Sequence, residues 1–272
     1  MNGEGRIESV AYVKELDQAL APAGTDVMRV AEDFFGLADV VATNSQLRRA
    51  LTDPGRDSAD KQALVAGAFS SHLAPATLSV LDVMVADHWS NPSDLKNSLE
   101  VLGILAVLTD AQRADMIVTV EHELMNLIEV LTDHRELRQR LSDMKEYSSR
   151  ERADLASTVF SSHVSPWTMR LLRRGVGRSR HGRLLHNLRR FARWAATLRD
   201  RLLVTVETAT QLSAAQVDRL REILTKRFGK ELSLALSVNP DVVGGFRIVS
   251  GATSVDASLA TRLADLQRRL AR

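Results

Sequence analysis

Two stretches of this sequence, 90 residues apart, carry the same pattern in the same order. Leu37, Val40 and Val41, followed by Leu47, Arg48, Leu51 and Asp53, recur as Leu127, Val130 and Leu131, followed by Leu137, Arg138, Leu141 and Asp143. Further along, Phe69-Ser70-Ser71-His72 and Pro75 recur as Phe160-Ser161-Ser162-His163 and Pro166, with the offset now 91. A one-residue insertion in the intervening turn accounts for the change. Helix starts match as well. Ser148 and Glu151 have the spacing of a capping box, and Asp57 and Asp60 stand at the matching positions. Before them, Val30, Phe34 and Leu37 parallel Val120, Leu124 and Leu127 at helical spacing. The pattern predicts a duplicated helical domain, with a bundle over residues 6–100 and its copy over 101–190. In the first copy, helices are expected near 7–21, 25–43, 45–52, 58–72, 75–89 and 93–109. Pro75 and Pro166 suit a first helical turn, where a missing amide donor is tolerated. Short connections then make consecutive helices antiparallel neighbours.

The last third changes character. Residues 201–207, 231–238 and 245–249 alternate like strands. Between the first two lies a helix opened by Ser213 and Gln216 and closed by Gly229. A final helix near 258–271 aligns Leu259, Leu263, Leu266 and Leu270. The expected fold class is therefore mainly α: two tandem antiparallel bundles followed by a small β-α-β-β-α module over 200–272. A module of that size buries too little surface to be very stable alone and leans on a partner.

Composition narrows the function. The chain has 272 residues and no cysteine, which removes disulfides, thiolate metal sites and cysteine nucleophiles. No apolar run approaches the roughly 18–20 residues that span a bilayer. The polar N-terminus, Met1-Asn2-Gly3-Glu4-Gly5, has no signal-peptide core, so a cytosolic-side protein is expected. The seven His residues show no zinc-type pairing, and no G-x-S-x-G elbow is present. His72 and His163, matched across the repeat, read as helix-end residues. Gly175 to Gly182 is glycine-rich but lacks a following G-K-[ST] and a preceding strand, so it reads poorly as a phosphate loop. No catalytic residue, cofactor or metal is expected.

Charge is strongly segregated. Residues 1–169 hold 15 basic and 26 acidic side chains, whereas residues 170–201 hold 11 Arg against Asp200 alone. Such a segment meets charged partners, lipid, or another part of the same chain. It also supports a rival reading, a helical-repeat adaptor that grips nucleic acid through 170–201. A generic scaffold built on the duplicated bundle is a third.

One order of elements decides between these. Leu212, Ser213 and Gln216 open a helix ending at Gly229. Then come Val238-Asn239-Pro240-Asp241, Gly244-Gly245-Phe246, and Val255, Asp256, Ser258, Arg262 and Leu263. This order resembles the C-terminal region of the delta subunit of F-type ATP synthases, called OSCP in mitochondria. Tyr12 and Leu47 to Leu51 resemble the family's N-terminal bundle more loosely, and the second bundle departs from it. The resemblance implies a non-catalytic stator connector at the cytoplasmic face of the bacterial plasma membrane. It implies that an N-terminal bundle holds the N-terminal helices of the alpha subunits, framed by Tyr12, Leu16 and Leu20 on the first helix and Leu78, Leu81 and Val85 on the fifth. It implies too that the C-terminal module, through Gly244, Gly245, Phe246, Leu259 and Leu263, holds the b-type stalk, and that no nucleic acid is bound. The glycine pair also has a direct local role, as a tight strand entry without side-chain bulk.

Overall fold

The computed structural model describes residues 7, 10–178, 183–200, 202–210, 212–229, 232–238, 246–250 and 253–256. The chain is mainly α, with twelve helices among the described residues. They are α1 (Val13–Leu20), α2 (Val27–Thr43), α3 (Ser45–Thr52), α4 (Ser58–Phe69), α5 (Pro75–Ala86), α6 (Pro92–Arg113), α7 (Ile117–Asp133), α8 (Arg135–Ser142), α9 (Ser149–Phe160), α10 (Pro166–Arg178), α11 (Leu184–Asp200) and α12 (Ala214–Phe228). Strands β1 (Leu202–Thr208), β2 (Leu232–Val238), β3 (Phe246–Ser250) and β4 (Thr253–Asp256) form a sheet of order β2-β1-β3-β4.

Local chemistry places the helix ends. Pro75, Pro92 and Pro166 each occupy the first helical position, where the missing N–H would have been unpaired anyway. Ser148 closes a capping box on α9: its hydroxyl accepts from the Glu151 N–H at 3.2 Å, and the Glu151 carboxylate accepts from the Ser148 N–H at 2.8 Å. Ser213 and Gln216 do the same for α12. Gly229 ends α12 at φ 66°, a left-handed conformation that costs glycine little. Asp57 precedes α4 in extended conformation but makes no side-chain cap bond.

The chain forms two compact units. The first comprises residues 1–11, 27–48 and 90–199, and the second 12–26, 49–89 and 200–272. These limits differ from the expected divisions at 6–100, 101–190 and 200–272. Helix α6 runs unbroken through residue 100, and α11 through residue 190. The physical reason lies in α6, whose residues Leu102 to Leu108 are all buried. A helix apolar on every side must sit inside a core, and within the first unit α6 packs against α2, α7 and α10. Gly103 lets Phe35 of α2 approach; a Cβ there would stand 2.6 Å from the Phe35 ring.

In the second unit, α5 packs against α1 and α4. The β1-α12-β2 crossover joins two parallel strands, paired from Leu202 with Leu232 to Thr208 with Val238. Strand β3 pairs antiparallel to β1, and β4 returns beside β3. The backbone after α1 extends this sheet: Pro22 bridges Leu236 in parallel, the Ala23 N–H donates to the Leu236 carbonyl, and the Leu236 N–H donates to that of Ala21. Val255 and Asp256 lie in β4, in a segment whose four residues carry too short an alternation to signal a strand. The expected final helix over 258–271 lies outside the described residues.

Candidate partner-binding site

Helices α1 and α5 lie side by side in the second unit. Of the six residues expected to frame a groove there, Leu16, Leu20, Leu81 and Val85 are buried core. Tyr12 and Leu78 are half-buried. What the two helices leave open is a cavity of about 620 Å³, lined on one side by Gln18, Ala19, Pro22 and Ala23 and on the other by Ala76 and Ser79. Small side chains give a second backbone room to come close. Alanines and a serine carry no apolar periodicity, so sequence patterning passes over Ala19, Ala76 and Ser79.

Tyr12 anchors the start of α1 from an uncommon backbone conformation, φ 64°. Its hydroxyl donates to Asp87 Oδ2 at 2.9 Å, and its ring lies 5.8 Å from that of Trp89. The Trp89 indole N–H donates to the Met84 carbonyl at 2.7 Å, which ties the end of α5 to the same cluster. Burial, then the hydrogen bond to Asp87 and the neighbouring carboxylates, pushes the Tyr12 phenol well above its usual range.

The Arg-rich segment meets the chain's own acids. Arg174, 8% exposed, holds Asp39 of α2 through two bonds of 2.9 Å and grips Glu100 of α6 with Nε and Nη2. Arg170 pairs with Glu32 of α2. Both guanidiniums face the Phe35 ring, at 4.5 and 4.6 Å from its centroid, which adds cation–π attraction. Arg173 bonds Asp154 and Ser157 of α9, and Arg199 bonds Glu121 of α7. These four of the eleven arginines are committed to carboxylates and are not free to neutralise phosphates, which weakens the nucleic-acid reading. Gly175 and Gly177 stand inside α10, and residues 179–182 of the glycine-rich stretch lie outside the described residues.

Residues 105–270 match the family model described as the ATP synthase delta (OSCP) subunit, more than half of the chain. The chain belongs to the ATP synthase delta (OSCP) family. Relatives bear this out along the whole length. The chain is 32% identical to the ATP synthase subunit delta of Kineococcus radiotolerans over 99% of this chain and 97% of that one. It is 33% identical to that of Parafrankia sp. over 100% of both. Among solved structures, a chain of the Toxoplasma gondii mitochondrial ATP synthase hexamer aligns with 62% of this chain and 95% of its own, at 20% identity and a TM-score of 0.28.

As a delta-family subunit it is a peripheral-stalk connector of the F-type ATP synthase and carries out no catalysis itself. It belongs to a peripheral membrane complex, and no described helix is long and apolar enough to cross a membrane. Of the residues expected to meet the stalk, Phe246 opens β3, while Gly244, Gly245, Leu259 and Leu263 lie outside the described residues.

Proposed function

We propose that this delta-family subunit holds the alpha subunits of the catalytic head at the α1–α5 groove and the b-type stalk at its C-terminal module. The groove carries the reading. Its lining of Ala19, Ala23, Ala76 and Ser79 leaves room for an amphipathic helix to be laid in closely. At the other end, the small sheet of β1 to β4 with α12 is too small to be very stable alone, which favours a module that leans on the stalk. Rotation of the central shaft drags the head with it. A connector that dissociates slowly and yields little holds the head still, so torque acts on the catalytic sites. The site of action is the cytoplasmic face of the bacterial plasma membrane.

The helical part is an internal repeat. Helices α2 and α7 both have 17 residues, α3 and α8 both have 8, and α4 and α9 both have 12. Contacts repeat in register too. Arg48 donates to the Val41 carbonyl at 2.9 Å, and Arg138 donates to that of Leu131 at 2.6 Å. Buried polar positions pair as Thr52 with Ser142, Lys61 with Arg152 and Thr77 with Thr168. These matches support duplicated elements rather than two self-contained domains, since the compact units cut across them.

The test is calorimetric titration of the full chain with a synthetic peptide of an alpha-subunit N-terminus. Ser79 lines the groove and is exposed, so Ser79→Trp fills the cavity without disturbing the core. Affinity should fall by at least about tenfold, or ~1.4 kcal/mol, with the circular-dichroism melting curve unchanged. Undiminished affinity in the folded variant moves the alpha site elsewhere.

A further inference from the structure

We propose that the cavity beside α8 in the first unit is a binding site for a small phosphate-bearing anion. The cavity has a volume of about 470 Å³, within the range of small-ligand sites. Arg135, Arg138, Gln139 and Ser142 of α8 line it, with Thr132 from the end of α7 and Leu184 and Leu185 from the start of α11.

Three observations point to an anion. Ser142 is 4% exposed, and its hydroxyl is buried without a hydrogen-bond partner. A buried hydroxyl left unpaired costs free energy that an incoming acceptor returns. Arg138 spends only Nη1 inside the protein, on the Leu131 and Thr132 carbonyls at 2.6 and 3.0 Å. Those carbonyls orient the guanidinium without cancelling its charge, and Nε and Nη2 keep their donors. Arg135 is exposed and pairs with no carboxylate among the described residues. Among the described residues, no acidic side chain lines the cavity.

A second arginine-lined cavity of about 500 Å³ shows why this one stands apart. Its Arg170, Arg173 and Arg174 are already held by Glu32, Asp154, Asp39 and Glu100, and Asp39 itself lines the space. An anion there competes with four carboxylates. Beside α8 the lining residues carry two guanidiniums, an amide and a hydroxyl, and none of those lining residues is acidic. Phosphate, with several acceptor oxygens, matches that donor set better than a single carboxylate. Leu184 and Leu185 offer apolar surface to whatever carries the phosphate, whether a free metabolite or a lipid headgroup.

The experiment titrates the full chain with inorganic phosphate and with pyrophosphate by calorimetry at low salt. A second arm sediments it with phosphatidylglycerol vesicles and phosphatidylcholine controls. Pyrophosphate should bind saturably and more tightly than phosphate, and binding should weaken as salt screens the arginines. Arg135→Gln, which breaks no contact inside the protein, should weaken binding at least about tenfold. Ser142→Ala should weaken binding several-fold while raising the melting temperature, because it removes an unpaired buried hydroxyl. A purely structural serine would not move both readouts in opposite directions. Binding to phosphatidylglycerol alone, abolished by Arg135→Gln, assigns the phosphate to a lipid. The proposal fails if neither pyrophosphate nor anionic vesicles bind, or if binding survives both substitutions unchanged.

Discussion

At the scale of single residues, the Phe35 ring is the tightest constraint. It sits against Gly103 on one helix and faces Arg170 and Arg174 of another, so it has nowhere to retreat. Replacing a helical glycine with alanine ordinarily gains about 1 kcal/mol. Here overpacking costs about 1–3 kcal/mol, so Gly103→Ala should lower the urea midpoint rather than raise it. Arg174→Met should be worse, a loss of about 2–3 kcal/mol, because Glu100 and Asp39 lose their cation in a partly buried site. An unchanged denaturation curve for Arg174→Met would show that the network is ornamental. Tyr12 offers a spectroscopic check, since the chain has only two tyrosines, Tyr12 and Tyr147. Its phenol is held above the ordinary value of about 10. The hydrogen bond to Asp87 therefore contributes fully below that pH and is lost as pH rises toward the folded value. Absorbance titration should show one tyrosine ionising late, and Tyr12→Phe should remove that late step. The packing around Phe35 was not legible from sequence: Gly103, Phe35 and Arg174 lie far apart along the chain, and no local pattern links them.

Elements were the most legible level, because their signals are local. Ser148 with Glu151 and Ser213 with Gln216 announce helix starts, Pro75 and Pro166 occupy first turns, and Gly229 ends α12. Spacing alone does not say whether a cap bond forms. Ser148 makes one and Asp57, its counterpart in the repeat, makes none. Ser148→Ala should therefore cost about 1 kcal/mol, and Asp57→Ala only about 0.3 kcal/mol of helix-dipole interaction. Hydrogen exchange of the first turns of α9 and α4 checks the pair, and equal losses would count against the distinction. The backbone and hydroxyl of Ser148 hold the Glu151 carboxyl below its ordinary range. Its share of the cap is present above that range and fades as pH falls through the folded value. The residues that line the cavity between α1 and α5 were not legible: the resemblance points to Leu16, Leu20, Leu81 and Val85, which are buried, while the small residues lining the cavity carry no pattern.

At the scale of the whole molecule, the two compact units interleave along the chain, which no reading of consecutive segments anticipates. The consequence concerns removal of residues 202–272. Within the second unit, Gln18 donates to Asp218 at 3.0 Å, and Leu236 pairs with Ala21 and Ala23. Truncation therefore strips partners from the end of α1, and amide exchange at Leu20 to Ala23 should accelerate, while α6 and α10 keep their protection. In inverted vesicles the truncated subunit should leave ATP hydrolysis by the head intact and abolish proton-driven synthesis. That loss has two possible causes, a missing stalk attachment or a damaged α1–α5 groove. Titration with the alpha-subunit peptide separates them. Affinity within about threefold of the full chain, or ~0.65 kcal/mol, assigns the lost coupling to the C-terminal module. A collapse of peptide affinity assigns it to the groove, and the Gln18→Ala variant, which cuts one tie while keeping the module, should then reproduce part of the defect. Full coupled synthesis with the truncated chain would overturn the assignment of the stalk to residues 200–272.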